Sequence, residues 1–199
     1  MESEMRGKVL QDLFLMQQVY ASLFAVYNKL QTISDKRFER LSTRQFMTML
    51  AILHLQKNEA SLNNIARKLG TSKQNCKQLV TALAKKGFVE VRPNCTDKRA
   101  YNVTVTSVGL AATQKCSEIG ILLFADIFNE FTTRDLSTLW NLLKKMYCFD
   151  GSEQQGFEAN PNDDLDLDEA ARESALRTLE AFTEKRRQSF AREETHAGK

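Results

Sequence analysis

The chain has little of what turns a backbone sharply. Its 199 residues contain only 2 prolines and 8 glycines. Turns draw heavily on these two residues, so a many-stranded β protein is disfavoured and long helices are expected. Two histidines, His54 and His196, are too few for a multi-histidine zinc site. The four cysteines, Cys76, Cys95, Cys116 and Cys148, include no Cys-x-x-Cys pair, and their spacings of 19, 21 and 32 residues fit no compact metal knuckle. They read as reduced thiols. The longest strongly apolar stretch, residues 119–128, is interrupted by Asp126 and is too short to span a bilayer. The N-terminus alternates charged and apolar residues and does not read as a signal peptide. A cytoplasmic protein with no membrane partner is therefore expected. There is no phosphate loop, nucleophile elbow or metal-ligand cluster, so the expectation is no catalytic residue, no metal, no cofactor and no enzyme activity.

What the chain does have is an uneven distribution of charge. Residues 1–149 carry 21 Lys and Arg against 12 Asp and Glu, whereas residues 150–199 carry 7 against 13. A basic body with an acidic tail points to an anionic partner for the body, most commonly nucleic acid.

Apolar residues spaced by three and four predict a first helix over about 9–31. Ser42-Thr-Arg-Gln45 is a capping-box pattern that starts a second helix, striped by Phe46, Met49, Leu50 and Leu53. A short third helix over 62–69 ends at Gly70, and a fourth, capped by Thr71 or Ser72, runs to about Lys86 before Gly87. The period then changes to two. Residues 88–92 and 101–105 read as strands joined by a hairpin loop. Residues 106–131 are helical and apolar almost all round, which calls for burial on several sides. A sixth helix starts at Thr132 and carries Leu136, Leu139, Trp140, Leu143 and Tyr147 in register. Residues 150–169 hold eight acidic residues and no basic one and read as an acidic flexible linker. A last helix, about 167–192, has a weak apolar stripe and needs something to pack on. The domain boundaries expected are a body of 1–149, the linker 150–169 and a helical extension 170–199. Within the body, a lobe spans about 42–106 between helical segments of about 9–31 and 107–148.

Helix, glycine turn, helix and hairpin is the order of a winged helix-turn-helix, in which the second helix enters a major groove. The faces of the fourth helix fit that role. Cys76, Leu79, Val80 and Leu83 form one side and must be core. Gln74, Gln78, Thr81 and Lys85 lie opposite, flanked by Lys73, Asn75 and Lys77, and no carboxylate occurs between Ser72 and Gly87. Amides, a hydroxyl and lysines offer base-edge donors and acceptors beside phosphate partners. The bland reading is the solvated face of a surface helix, which commonly includes acids. The candidate DNA-binding residues are Ser72, Lys73, Gln74, Asn75, Lys77, Gln78 and Thr81, with Arg92, Lys98 and Arg99 from the hairpin.

Three runs of sequence make this specific. They are residues 62–69 (Leu-Asn-Asn-Ile-Ala-Arg-Lys-Leu), residues 79–89 (Leu-Val-Thr-Ala-Leu-Ala-Lys-Lys-Gly-Phe-Val), and Arg92, Asp97-Lys-Arg99 and Val105-Thr-Ser-Val-Gly109. The series resembles the MarR family of bacterial transcription regulators. The resemblance implies a mainly α fold with a small β-hairpin wing, and a homodimer built by interlocking the first, fifth and sixth helices of both subunits. It further implies a regulator, of repressor type, on a pseudo-palindromic operator in double-stranded DNA, released by a small-molecule effector between the dimerisation helices and the lobe. By the same resemblance Asp97 braces the wing and Arg99 enters the minor groove, a role that suits arginine. A mere Asp97–Arg99 pair within the loop stays open. No residue identifies an effector. Phe14, Tyr20, Phe46 and Met49 could line its pocket, but their helical spacing is that of plain core. The chain departs from oxidant-sensing members, which use a cysteine near the start of the first helix, since none precedes Cys76. Cys76 reads as a packing residue, and Cys95 falls in the wing loop. Unlike zinc-sensing relatives, the body has only His54. The extension after Asp150 lies beyond the usual end of the fold and could contact a protein partner. The alternative reading is a winged-helix interaction module that works through this extension without reading DNA.

Overall fold

The computed structural model describes residues 2–55, 59–93, 101–151, 154, 156–157 and 169–197. Seven helices and two strands follow in the order α1 (Glu2–Arg37), α2 (Thr43–His54), α3 (Leu62–Lys68), α4 (Lys73–Lys85), β1 (Val89–Pro93), β2 (Tyr101–Val105), α5 (Ser107–Ile127), α6 (Thr133–Lys144) and α7 (Glu169–Ala197) among the described residues. The fold is mainly α with a two-stranded antiparallel hairpin, as the sequence predicts.

Local chemistry starts each helix of the lobe. The capping box of α2 is formed, with Ser42 Oγ accepting from Gln45 N and Gln45 Oε1 accepting from Ser42 N. Ser61 caps α3 and Ser72 caps α4 in the same manner, each accepting from the amide three residues on. Gly70 (φ 61°) and Gly87 (φ 71°) close α3 and α4 in the left-handed region, where a side chain would be strained. Met49, Ile65, Cys76 and Leu83 are fully buried where α2, α3 and α4 converge, and Phe88 seals the cluster beneath the hairpin. β1 and β2 pair with Val91 opposite Val103. The Val103 amide also donates to the Ala60 carbonyl at 2.9 Å, which ties the hairpin to the start of α3.

The junction between hairpin and α5 explains the Val-Thr-x-x-Gly run. Thr106 Oγ1 donates to the Gly87 carbonyl (2.7 Å) and accepts from Gly109 N (3.0 Å), while Thr106 N donates to the Phe88 carbonyl (3.0 Å). One threonine thus caps α5 and ties down the end of the recognition segment.

Several boundaries differ from expectation. α1 begins before residue 9 and extends to Arg37, because its polar ends are adequate helix formers that carry no apolar stripe to read. Its end is locked to α2 by Asp35 Oδ1, which accepts from Thr43 N (2.5 Å) and Thr43 Oγ1 (2.6 Å). α5 ends at Ile127, not 131, and Phe128 and Phe131 fold back edge-to-face with centroids 5.4 Å apart. Two helical stretches, Glu4–Arg37 and Ser107–Ile127, are long and apolar enough to cross a membrane by length and composition. That differs from the search for an uninterrupted run, since a helical window tolerates one or two charges.

The most extensive helix contact beyond the lobe is α7 lying along α5. Gln114 Nε2 donates to the Ala171 carbonyl, and Thr178 is buried between the helices. The Arg186 guanidinium donates to the carbonyls of Phe128, Asn129 and Phe131, which follow the end of α5. Asp126 accepts from Lys185 Nζ (2.7 Å) and Arg37 Nη1 (3.2 Å), joining α7, α5 and α1. The hydrogen bond from Lys185, helped by Arg37, holds the Asp126 carboxyl below its ordinary value. With the folded value depressed, the contribution of this node is present above the ordinary carboxyl range near pH 4. It is lost as pH falls through the folded value. Hydrogen-exchange protection across residues 169–188, relative to the intrinsic rate at each pH, is expected to fall on acidification below that range, and Asp126→Asn to lower it already at neutral pH. The pairs are half-exposed, so the effect is small, under about 1 kcal/mol and weaker in high salt.

Candidate nucleic-acid interface

α4 presents the face that its sequence predicts. Cys76, Val80 and Leu83 point into the core and Leu79, expected beside them, is only half-buried, while Lys73, Gln74, Lys77, Gln78, Thr81 and Lys85 are exposed. The first turn holds no acid and begins with Lys73. A lysine there opposes the helix dipole slightly, so the position is favourable only if an anion comes to that end. Burial pushes the Cys76 thiol up to about 11, which makes it an inert packing group.

Not every candidate is free to contact DNA. Ser72 Oγ is engaged as the cap of α4, accepting from Asn75 N at 3.2 Å. Asn75 is half-buried, and its Nδ2 donates to Thr71 Oγ1 (2.7 Å), which turns it away from Gln74 and Gln78 toward a cavity behind the helix. Arg92 is exposed on β1 and ion-paired with Glu90 of the same strand. Asp97, Lys98, Arg99 and Cys95 lie outside the described residues. Phe46 and Met49 are core, whereas Phe14 (58% exposed) and Tyr20 (78%) stand on the open face of α1.

Two lysines that add to the basic count have structural duties that sequence alone did not reveal. Lys86 Nζ donates to the Arg40 carbonyl and to Gln45 Oε1, both at 2.8 Å, anchoring the end of α4 to the α1–α2 connection. Beside it, Arg40 stacks over the Phe88 ring at 5.0 Å. Lys68 is buried at the end of α3. Behind α4 lies an open cavity of about 410 Å³ walled by Tyr27, Arg44, Met47, Thr71 and Leu79 among others. His54 is half-buried, with its Nδ1 2.9 Å from the Leu50 carbonyl. Among the described residues no group of three or more His, Cys, Asp or Glu side chains is arranged to hold a metal.

A helix-turn-helix closed by a hairpin, with a carboxylate-free polar face on its second helix, defines a winged helix-turn-helix protein. Residues 41–100 match the model of the MarR family. Solved structures agree with the fold. A MarR protein from Peptoclostridium difficile is 22% identical with a TM-score of 0.59, covering 64% of this chain and 84% of its own. A mutant MarR from E. coli complexed with operator DNA is 23% identical with a TM-score of 0.57, covering 64% and 91%. The S. aureus MepR–DNA complex is 18% identical with a TM-score of 0.59, covering 64% and 94%. No curated protein matches the sequence.

Proposed function

We propose that this protein is a sequence-specific, DNA-binding transcription regulator of repressor type, cytoplasmic and without enzyme activity, that acts as a homodimer on a pseudo-palindromic operator. The observation that carries the reading is the exposed face of α4, where Lys73, Gln74, Lys77, Gln78 and Thr81 stand together with no carboxylate. Glutamines read base edges and lysines meet phosphates, and both kinds of contact are available from one helix in a major groove. Two such helices related by two-fold symmetry meet half-sites about one helical turn apart. Relatives of the same fold are described in complex with DNA, and one, an organohalide-sensing regulator, in a 2,4-dichlorophenol-bound form. They support DNA as the partner and a small-molecule effector as the signal. The alternative, a protein-interaction module working through the extension, is favoured by Leu176 and Leu179, which stand exposed on α7.

The test is fluorescence anisotropy on DNA from the protein's own upstream region, beside scrambled DNA, at several salt concentrations. Preference for the native fragment by orders of magnitude is expected, with affinity falling steeply as salt rises. Gln74→Ala is expected to relax discrimination at one base pair by roughly 1–3 kcal/mol. Arg99→Ala is expected to weaken binding to all sequences and lower the salt slope by about one. Equal losses on every DNA for Gln74→Ala would count against base reading, and no preference in the wild type would favour the interaction module.

A further inference from the structure

The cavity behind α4 is partly filled by the chain's own C-terminal part. Phe157 packs against the core cluster of the lobe and meets His54 of α2 edge-to-face, with centroids 5.2 Å apart and planes at 79°. Lys68 Nζ lies 5.1 Å from the centre of the same ring and donates to the Gly156 carbonyl at 2.7 Å. Lys68 is only 6% exposed, and an ammonium so placed requires partners of this kind. Gln154 sits over the turn between α3 and α4, so close that a Cβ on Gly70 would lie 3.2 Å from its Nε2. Gln154 and Phe157 share the cavity wall with Thr71 and Asn75, at the end of α4 that presents Lys73 and Gln74.

We propose that Gln154, Gly156 and Phe157 form a plug, supplied by the chain itself, that lowers DNA affinity while it is docked; this rests on the DNA-binding reading above. The docked residues reach across α2, α3 and the turn before α4, so they hold the recognition helix in one setting relative to α2. In sequence the plug residues stand in the acidic part of the chain, next to Glu153 and Glu158. Negative charge tethered to the lobe with the plug opposes the approach of phosphates. The apparent affinity is then the intrinsic affinity reduced by the fraction of molecules with the plug released. Any ligand that displaces Phe157 from between His54 and Lys68 raises DNA binding, the opposite sense to an effector that releases a repressor.

The test uses the full chain with Phe157→Ala beside the wild type. Hydrogen exchange over residues 59–71 is expected to quicken in the variant, and its affinity for the upstream DNA at fixed salt to rise by about tenfold. A synthetic peptide spanning residues 150–160, added in excess, is expected to reverse both effects. Phe157→Leu, which keeps an apolar plug, is expected to fall between. Unchanged exchange in Phe157→Ala overturns the docking. Quicker exchange with unchanged or weaker DNA binding overturns the inhibition alone and leaves a purely structural contact. If neither protein binds DNA in preference to scrambled sequence, the inhibition falls together with the DNA-binding reading, and the exchange data still decide the docking.

Discussion

Gly109→Ala is expected to destabilise the lobe more than any other single methyl group added to a described glycine. A Cβ at Gly109 would overlap the Phe88 carbonyl oxygen and would lie 3.0 Å from Met49 Cε. The first clash is with backbone. That carbonyl accepts the Thr106 amide, and its residue seals the core, so neither partner can retreat without breaking the junction of α4, hairpin and α5. Overpacking of a closed core costs about 1–3 kcal/mol and more where backbone must move. For a chain of this size each kcal/mol lowers the melting temperature by roughly 2–4 °C, so a fall of about 6 °C or more is expected in thermal denaturation. Gly7→Ala is the control. Its Cβ would meet nothing within 4 Å, and alanine in a helix is favoured by roughly 0.5–1 kcal/mol. Equal melting temperatures for the two variants would show that the close approach at Gly109 is not a constraint.

The double variant Phe14→Glu, Phe24→Glu is expected to be monomeric and to lose most of its affinity for a two-half-site operator. Phe14 and Phe24 are 58% and 69% exposed on α1, amid Leu10, Leu13 and Tyr20 on the same helix. α6 adds Trp140 and Leu142 and buries none of its residues. Apolar surface on this scale normally marks an interface, and a second copy of the chain supplies matching helices. Two glutamates placed within such an interface would be buried charges without partners. Light scattering after size exclusion is expected to show a dimer for the wild type and a monomer for the variant. Losing simultaneous engagement of both half-sites removes a gain of about 10²–10⁴ in affinity. A wild type that is monomeric in buffer, or that requires detergent, would overturn this account of α1, whose length and composition also suit a bilayer.

The lobe was largely legible because its signals are short-range. Ser42 and Gln45, Gly70 and Gly87 each act within a few residues, and all took the roles their spacing predicts. The α4 face was legible too, since a buried Cys76-Val80-Leu83 side leaves Gln74 and Gln78 outward by helical geometry alone. Strand β1 was read one residue early, because Phe88 is apolar like the strand but completes the turn after α4. Phe157 was hidden for another reason. It is one aromatic in a stretch of carboxylates and glycines, with no periodicity, and the hydrogen bond beside it joins residues 88 apart. The site of α7 was equally unreadable, since a weak stripe says that a partner is needed without saying that it is α5.

The sequence by itself determined where the helices of the lobe begin and end, which face of α4 turns outward and that the hairpin follows, because caps, positive-φ glycines and side-chain periods depend on neighbours along the chain. Only the tertiary structure decided which cations remain free. Lys73 and Lys77 stay exposed, whereas Lys68 is buried against Phe157 and Lys86 is bound to Arg40 and Gln45. All four are identical as letters. What separates them is the desolvation and hydrogen bonding imposed by segments far away in the chain, and no local pattern records those.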